Sequence, residues 1–186
     1  MLDSIRALSQ IMAPPVRESL LSVPWERSAV ESGFDLPPDY REFIDLYGQG
    51  AVRGELDIHM PWISGPWLGG EGGFSYLVEY MNILWDPESF RRLRTQSPGA
   101  YPYPLFPEEG GLLAWAHNGN ADYCFWLTDK GDPAHWPVIV WDRAAWRRYD
   151  CGMAELLVRL LAGRDAELNR ILSAAEGTRL WVDEMS

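Results

Sequence analysis

Two histidines and two cysteines in the C-terminal half of the chain have side chains that could bind a zinc ion. They are His117, Cys124, His135 and Cys151, and no two of them lie two to four residues apart, the spacing at which zinc ligands usually come in pairs. No histidine is followed two residues later by glutamate, so the signature of zinc deaminases is missing. We expect no metal site. His117 would begin a turn, Cys124 would fill one face of a strand, and His59 and His135 would be ordinary surface or edge residues.

Three further patterns that could support catalysis are incomplete. The glycine-rich stretch at residues 69–73 lacks the Lys-Ser/Thr pair of a phosphate-binding loop, and Glu71 would repel phosphate. No Gly-x-Ser-x-Gly sequence is present to hold a nucleophilic serine. Glu108 and Glu109 could act as acid and base, but adjacent carboxylates followed by two glycines are more typical of a solvated loop. The sequence therefore predicts no cofactor and no enzymatic activity, with a small hydrolase as the least favoured alternative.

The charge of the chain favours a basic partner. Its 186 residues carry 16 basic and 27 acidic side chains, which gives a net charge of -11. The acidic excess is concentrated in residues 35–90 and 95–142. A strongly acidic surface repels phosphate backbones and anionic lipid, so we expect neither nucleic acid nor a membrane as a ligand.

The sequence also predicts a cytoplasmic protein. No apolar stretch approaches the 18 or more residues that a membrane span requires, and the first residues do not combine a basic segment with an apolar run. Cys124 and Cys151 can form at most one disulfide and no Cys-x-x-Cys motif, so no disulfide framework is expected.

Hydrophobic periodicity in the first half of the chain predicts helices followed by one strand. The clearest helix begins at Pro37-Pro38, with apolar residues at i, i+3, i+4 and i+7, and ends at Gly48. From Val52 to Met60 apolar and polar residues alternate, which is typical of a half-buried strand. A glycine-rich loop, expected to be mobile, then leads to further helical spacing. The other predicted helices cover residues 2–12, Trp25 to Gly33, residues 74–85 and residues 86–94, and whether the last two are continuous is left open.

The second half predicts a hairpin, two more strands and two helices. The aromatic runs Leu112–Ala116 and Tyr123–Thr128 are separated by Asn118-Gly119-Asn120, residue types that tolerate the positive φ of a tight turn. The remaining elements are strands at 137–141 and 146–149 and helices at 153–162, ending at Gly163, and at 165–172. This order predicts a single α+β domain over residues 1–186, with a mainly antiparallel sheet of about four to six strands flanked by N-terminal and C-terminal helices.

Three segments resemble the SMI1/KNR4 family, also called the SUKH superfamily. Residues 36–50, LPPDYREFIDLYGQG, are similar to the family's opening motif, in which a Leu-Pro-x-Asp-Tyr helix ends in a Gly-x-Gly turn before the first strand. Residues 106–142 resemble the bacterial pattern of a Pro-Glu-x-Gly-Gly entry, an aromatic hairpin and an Asp-Pro-x-x-Trp-Pro crossing. The helix MAELLVRLLAG at residues 153–163 is also similar. The resemblance covers residues 22–163.

This resemblance implies a non-enzymatic α+β protein. Bacterial members of the family act as immunity proteins that bind and neutralise toxins, many of them nucleases, which pass between neighbouring cells. Fungal members act as interaction hubs in cell-wall signalling. The resemblance supplies no catalytic residues. It therefore favours a bacterial immunity protein for a basic toxin, with an intracellular regulatory or scaffold domain as the alternative.

The candidate partner-binding residues are acidic side chains and tryptophans in predicted loops. Acidic charge accelerates encounter with a basic partner, and tryptophan is enriched among binding hot spots. For the loop tryptophans, an equally weighted alternative is that the loop folds back on the sheet. Tryptophans on predicted strands are expected in the core. The candidate contacts are Asp57, Trp62, Trp67, Glu71, Glu108, Glu109, Asp122, Asp129, Asp132 and Trp136.

Overall fold

The computed structural model of the chain describes residues 1–16, 23–61, 64–65, 70–71, 86–129, 131–171 and 180–183. Within these residues lie six α-helices, nine β-strands and one short 3₁₀ helix at Pro133–His135. The helices are α1 (Asp3–Ile11), α2 (Trp25–Ser32), α3 (Pro38–Tyr47), α4 (Pro87–Gln96), α5 (Met153–Leu161) and α6 (Ala166–Ile171). The strands are β1 (Gly50–Val52), β2 (Leu56–Ile58), β3 (Ser64–Gly65), β4 (Gly70–Glu71), β5 (Leu112–His117), β6 (Tyr123–Leu127), β7 (Val138–Trp141), β8 (Trp146–Tyr149) and β9 (Trp181–Asp183).

Seven of these strands form one antiparallel sheet. Their order across the sheet is β8-β7-β6-β5-β2-β1-β9, and each neighbouring pair is antiparallel. The predicted α+β class with a mainly antiparallel sheet and flanking helices is confirmed. The predicted count of four to six strands is too low, because one predicted strand is in fact two and the C-terminal strand β9 was not predicted.

Both faces of the central strands are covered, which explains their nearly continuous apolar sequences. On β6, Cys124 and Trp126 point into the main core with α1, α3 and α5, while Tyr123 and Phe125 point into a second cluster with α4. Burying a large apolar side chain contributes about 1.5–3 kcal/mol, so the central strands stabilise both layers. Of the four strand tryptophans predicted in the core, Trp115 and Trp126 are fully buried, whereas Trp141 and Trp146 are only partly buried against the second cluster.

The segment predicted as one strand from Val52 to Met60 is a β-hairpin. β1 and β2 pair with Val52 opposite Leu56, and the chain reverses at Arg53 and Gly54, which have φ of 55° and 69°. The loop has three residues, and Glu55 N–H closes it by donating to Val52 O at 3.2 Å. The single-strand prediction was wrong because the residues buried in the hairpin follow the same alternation as those of one continuous strand.

The predicted hairpin between β5 and β6 is confirmed, but its turn has a different conformation. Asn118 Oδ1 accepts hydrogen bonds from the N–H groups of Asn120 (3.0 Å) and Asp122 (3.0 Å). This local bonding stabilises the turn. Among the described residues of the turn, positive φ occurs at Ala121, at 60°, and not at the asparagines or glycine that the sequence favoured.

Strand β9 forms one edge of the sheet, where it pairs with β1 directly after the Gly-x-Gly turn at residues 48–50. Gly48 has a φ of 72° at the end of α3, and a Cβ on Gly50 would collide with the carbonyl oxygen of Val182. The ring of Trp181 packs edge-on against Phe43, with 5.5 Å between the ring centroids. Gly50 is therefore required by a close approach of two backbones.

The remaining predicted helices are confirmed where the structure describes them. The helices end at Gly33 and Gly163 as predicted, and both glycines have a left-handed conformation, with φ of 77° and 65°. Asp86 caps α4 by accepting hydrogen bonds from Glu88 and Ser89. Most of the glycine-rich loop and the predicted helix at 74–85 lie outside the described residues. Within that loop, β3 and β4 pair with Ser64 opposite Glu71.

A buried carboxylate connects two helices that are far apart in sequence. Asp39, in the first turn of α3, is 8% exposed and accepts hydrogen bonds from its neighbour Tyr40 N–H and from Ala154 N–H in the first turn of α5, both at 2.9 Å. The residue before α5 is Gly152, which has no side chain to cap the helix itself. Burial raises the pKa of Asp39, while the N–H groups of Ala154 and Tyr40 oppose that shift. Asp39 therefore supplies to α5 the cap that the local sequence lacks.

Replacing Asp39 should destabilise the protein through both helix ends. We expect Asp39→Ala to lower the free energy of unfolding by about 2–3 kcal/mol, because a cap is lost and buried N–H groups lose their acceptor. Asp39→Asn, which keeps one acceptor oxygen, should lose less. Urea unfolding at constant m-value measures the difference. The control is Asp35→Ala, an exposed carboxylate that pairs with Arg41 and should change stability by less than about 1 kcal/mol. Equal losses at both positions would contradict the capping role.

Gly152 should be intolerant of a side chain only while Asp39 is present. A Cβ at this position would lie 2.5 Å from Asp39 Oδ2, and such overpacking costs about 1–3 kcal/mol. In the Asp39→Ala background the contact is gone, so Gly152→Ala should then cost at least about 1 kcal/mol less than in the wild type. A double-mutant cycle by urea unfolding gives this coupling energy, and additive losses would disprove the contact.

Candidate functional site

The structure divides the described candidate residues between two ends of the sheet. Thr128, after β6, donates its N–H to Gly111 O at 2.9 Å, which places the loop with Glu108 and Glu109 beside Asp129. Asp57 lies at the other end, where it is paired with His117 in the sheet register. β6 has five residues, so at ~3.3 Å per residue the two ends are about 16 Å apart. The candidates do not form one continuous patch.

We define the acidic end of the sheet as the exposed residues Glu109, Asp129 and Asp132. Asp129 Oδ1 accepts a hydrogen bond from Gly131 N–H at 2.8 Å, and Asp132 Oδ1 accepts one from Ala134 N–H at 2.9 Å. These bonds orient two of the three carboxylates against their own loop backbone. The acidic end is thus an organised surface rather than a set of freely rotating side chains.

The carboxylate of Glu108 is occupied by two arginines. It forms ion pairs with Arg91 (2.9 Å) and Arg94 (3.6 Å) of α4, which connect the loop before β5 to that helix. Exposed ion pairs contribute little to stability, about 0–1 kcal/mol, but a partner would have to displace both arginines to reach Glu108. A contact at Glu108 would therefore require both ion pairs to break.

Two predicted contacts lie in the interior, which corrects the predicted binding surface. Asp122 is 5% exposed and accepts a hydrogen bond from Asn118 Nδ2 at 2.9 Å, so its carboxylate belongs to the turn. Trp136 is 4% exposed, and its ring lies edge-on to Phe34 with 4.9 Å between centroids. For Trp136 the alternative prediction, a loop folded back on the sheet, was the correct one.

Three further candidates cannot be placed as contacts. Trp62 and Trp67 lie outside the described residues. Glu71 lies on β4, opposite Ser64, and its side chain is outside the described part of the chain.

The remaining candidate, Asp57, is half-exposed, and its Oδ2 atom lies 3.9 Å from His117 Nε2.

Asp57 belongs to a group with two histidines that the sequence did not bring together. His59 was predicted at the surface or an edge, but it is 6% exposed, and its Nε2 lies 2.8 Å from His117 Nδ1. One ring must donate and the other accept, so at least one imidazole is neutral. Burial, with a smaller contribution from His117, lowers the pKa of His59 to about 3, and burial also lowers the pKa of His117, against the opposing effect of Asp57.

A ladder of aromatic rings crosses the outer face of the sheet from this histidine pair. His117 stacks on Tyr123 with 5.9 Å between centroids, Tyr123 lies 6.2 Å from Trp141, and Trp141 stacks on Trp146 at 5.1 Å. These residues occupy consecutive register positions on β5, β6, β7 and β8. Cross-strand aromatic pairs of this kind stabilise a sheet by about 0.2–1 kcal/mol each.

Two rings of this ladder, Tyr123 and Trp141, line a cavity of about 280 Å³ between the outer face of the sheet and α4. We call it the aromatic pocket. Phe90 of α4 and Tyr123 of β6 are both 4% exposed and form its floor, while Tyr101 packs edge-on against Phe90 at 5.5 Å. The exposed residues Asp86, Ala121 and Arg143 are at its rim. The full lining is Asp86, Ser89, Phe90, Leu93, Tyr101, Ala121, Tyr123, Trp141 and Arg143.

Sequence reasoning missed this pocket because its residues come from four separate segments. The available signal was the sequence of β6, Tyr-Cys-Phe-Trp-Leu, which places aromatic rings on both faces of one strand. Apolar rings on both faces of a strand require a layer of packed side chains on each face of the sheet. A pocket can form where the outer of these two layers does not fully cover the sheet. Nothing in the sequence indicates which part of that layer is incomplete.

No protein-family model, curated protein or solved structure matches this chain. Among the described residues, no group of three or more histidine, cysteine, aspartate or glutamate side chains is arranged to hold a metal ion. Over the same residues, no helix has both the length and the apolar character needed to cross a lipid bilayer.

The buried histidine should make stability depend on pH in the acidic range. The pKa of His59 is about 3 in the folded chain and about 6.5 in an unfolded chain, so the unfolded chain binds more protons between these values. The free energy of unfolding should therefore fall as pH is lowered from 6.5 towards 3, with a contribution from His59 of up to about 1.4 kcal/mol per pH unit. Urea unfolding at several pH values measures this slope.

Two histidine variants isolate that contribution. His59→Gln should have a shallower slope between pH 6 and pH 4 than the wild type, whatever its stability at neutral pH. His135→Gln, which replaces an exposed histidine, should keep the wild-type slope. If His59→Gln also keeps that slope, protonation of His59 does not control acid stability.

Proposed function

We propose that this protein is a non-enzymatic binding protein of the bacterial cytoplasm that neutralises a basic toxin, in the manner of an immunity protein. The observation that carries the proposal is the acidic end of the sheet. Three exposed carboxylates lie there on two loops that the hydrogen bond from Thr128 N–H to Gly111 O joins at 2.9 Å, and backbone hydrogen bonds orient two of them. The resemblance in residues 36–50, 106–142 and 153–163 supports the same function.

Charge complementarity explains how such a surface would act. A toxin that cleaves nucleic acid needs a cationic surface to hold phosphates. An acidic protein can bind that surface and exclude the substrate, and its net charge of -11 accelerates the encounter. No chemical step by this chain is required, because occupation of the toxin's binding surface is enough to neutralise it.

A competition experiment between cells tests the proposed function. The gene for this chain is deleted in the source strain, and the deletion strain is grown in contact with its parent. We expect the deletion strain to be inhibited by its parent and rescued by re-expression of the wild-type chain. Equal growth of the deletion strain and the parent would contradict the immunity function and favour a regulatory interaction domain.

Charge-neutralising variants test whether the acidic end is the binding surface. The triple variant Glu109→Gln, Asp129→Asn, Asp132→Asn removes three charges, and its asparagines can still accept the loop hydrogen bonds. It should rescue poorly, and its association with the purified toxin should be at least about 10-fold slower at low salt, with a flatter salt dependence.

The matched control removes three exposed acids elsewhere, through Asp3→Asn, Glu26→Gln and Glu55→Gln. It changes the net charge equally and should rescue like the wild type. If both triple variants behave alike, the acidic end has no special role, and only the total charge matters.

A further inference from the structure

The aromatic pocket has features of a ligand site that the proposed function does not use. Its floor is made of aromatic side chains, and its volume of about 280 Å³ lies at the lower limit of small-molecule sites, which range over about 300–1,000 Å³. A space of this size fits one small organic molecule and is too small for a nucleotide or a folded partner. A few polar groups at its rim would then fix the orientation of the ligand.

Two opposite charges line this pocket without pairing with each other. Asp86 comes from the start of α4 and Arg143 from the turn between β7 and β8. Neither takes part in an ion pair among the described residues, so their charged groups are more than 4.0 Å apart. Asp86 accepts hydrogen bonds from Glu88 N–H at 3.3 Å and Ser89 N–H at 3.2 Å, and hydrogen bonding by Ser89 lowers the pKa of its carboxyl. The pocket thus offers one negative and one positive group above an apolar floor.

The backbone at the rim supports a functional role for the pocket. In the described part of the chain, three residues other than glycine have positive φ, and two of them, Ala121 (60°) and Arg143 (67°), line the pocket. Such conformations are unfavourable for residues with a Cβ and tend to occur at binding sites. At Arg143 the turn is held by Asp142, whose Oδ1 accepts hydrogen bonds from Ala144 (3.1 Å) and Ala145 (2.7 Å).

We propose that the aromatic pocket binds a free α-amino acid with a large apolar side chain. The side chain lies on the floor formed by Phe90 and Tyr123, the ammonium group contacts Asp86, and the carboxylate contacts the guanidinium of Arg143. A zwitterion satisfies both rim charges, whereas a simple cation is repelled by Arg143 and a simple anion by Asp86. This site and the acidic end lie at opposite ends of β6, and the proposal does not rest on the proposed toxin binding.

Calorimetric titration of the full-length wild-type protein with a ligand series tests the proposal. L-Phenylalanine and L-leucine should bind. N-Acetyl-L-phenylalanine, which lacks the ammonium group, and L-phenylalaninamide, which lacks the carboxylate, should each bind at least about 10-fold more weakly, since a charged hydrogen bond is lost. Glycine should show no binding. Absence of binding by any amino acid at millimolar concentration overturns the proposal, as does equal binding of the blocked derivatives, which would instead indicate a peptide segment.

Two variants that preserve the local backbone locate the site. Asp86→Asn keeps a residue that can cap α4, and Arg143→Asn keeps a residue that tolerates positive φ. Each should weaken L-phenylalanine binding at least about 10-fold, while the distant controls Asp129→Asn and Arg164→Gln bind like the wild type. Unchanged affinity in both rim variants overturns the assignment. Circular dichroism checks their folding, and the ligand series on the wild type decides the proposal even if a variant does not fold.

Discussion

The helical layer of this protein depends on one carboxylate shared by the starts of two helices. Asp39 accepts hydrogen bonds from the first turns of both α3 and α5, although 115 residues separate it from Ala154. A buried carboxylate without such donors would be strongly destabilising. Separating the two helices would leave Asp39 with the Tyr40 N–H alone and would remove the cap of α5. Gly152 makes the contact possible because it leaves room for the carboxylate oxygen. The first turn of α5 is therefore completed only when it packs against α3.

The sequence predicts helix and strand positions well where local signals decide them. The start of α3 at Pro38 and the helix ends at Gly33, Gly48 and Gly163 depend on residues within one turn, and the structure confirms them. The reach of Asp39 to α5 could not be predicted, because its partner is distant in sequence. The hairpin at residues 50–58 was missed for a different reason. With Val52 opposite Leu56, the buried positions of two paired strands coincide with those of a single strand, so periodicity alone cannot separate them.

The sequence predicted that the candidate partner-binding residues would be acidic, but not which of them would be exposed or close together. Composition identifies the acidic segments, yet exposure depends on tertiary contacts: Asp122 belongs to the Asn118 turn, and Trp136 packs on Phe34. Arginine pairing also occupies carboxylates that a sequence treats as equal, as with Glu108 and α4. The exposed carboxylates at the acidic end of the sheet come from two loops that are distant in sequence, so no count of charges along the sequence could have grouped them.

The outer face of the sheet shows how a pocket can arise from an incomplete covering layer. The aromatic ladder is covered at one point by Phe90 of α4 and at another by the connector after α4, where Trp146 Nε1 donates a hydrogen bond to Ala100 O at 2.7 Å. Between these contacts, the turns that carry Ala121 and Arg143 form the rim of the aromatic pocket. The aromatic pocket and the acidic end lie at opposite ends of β6, about 16 Å apart at ~3.3 Å per residue. Helix α4 connects them, because Phe90 lines the pocket while Arg91 and Arg94 pair with Glu108, so one helix contributes to both surfaces of the sheet.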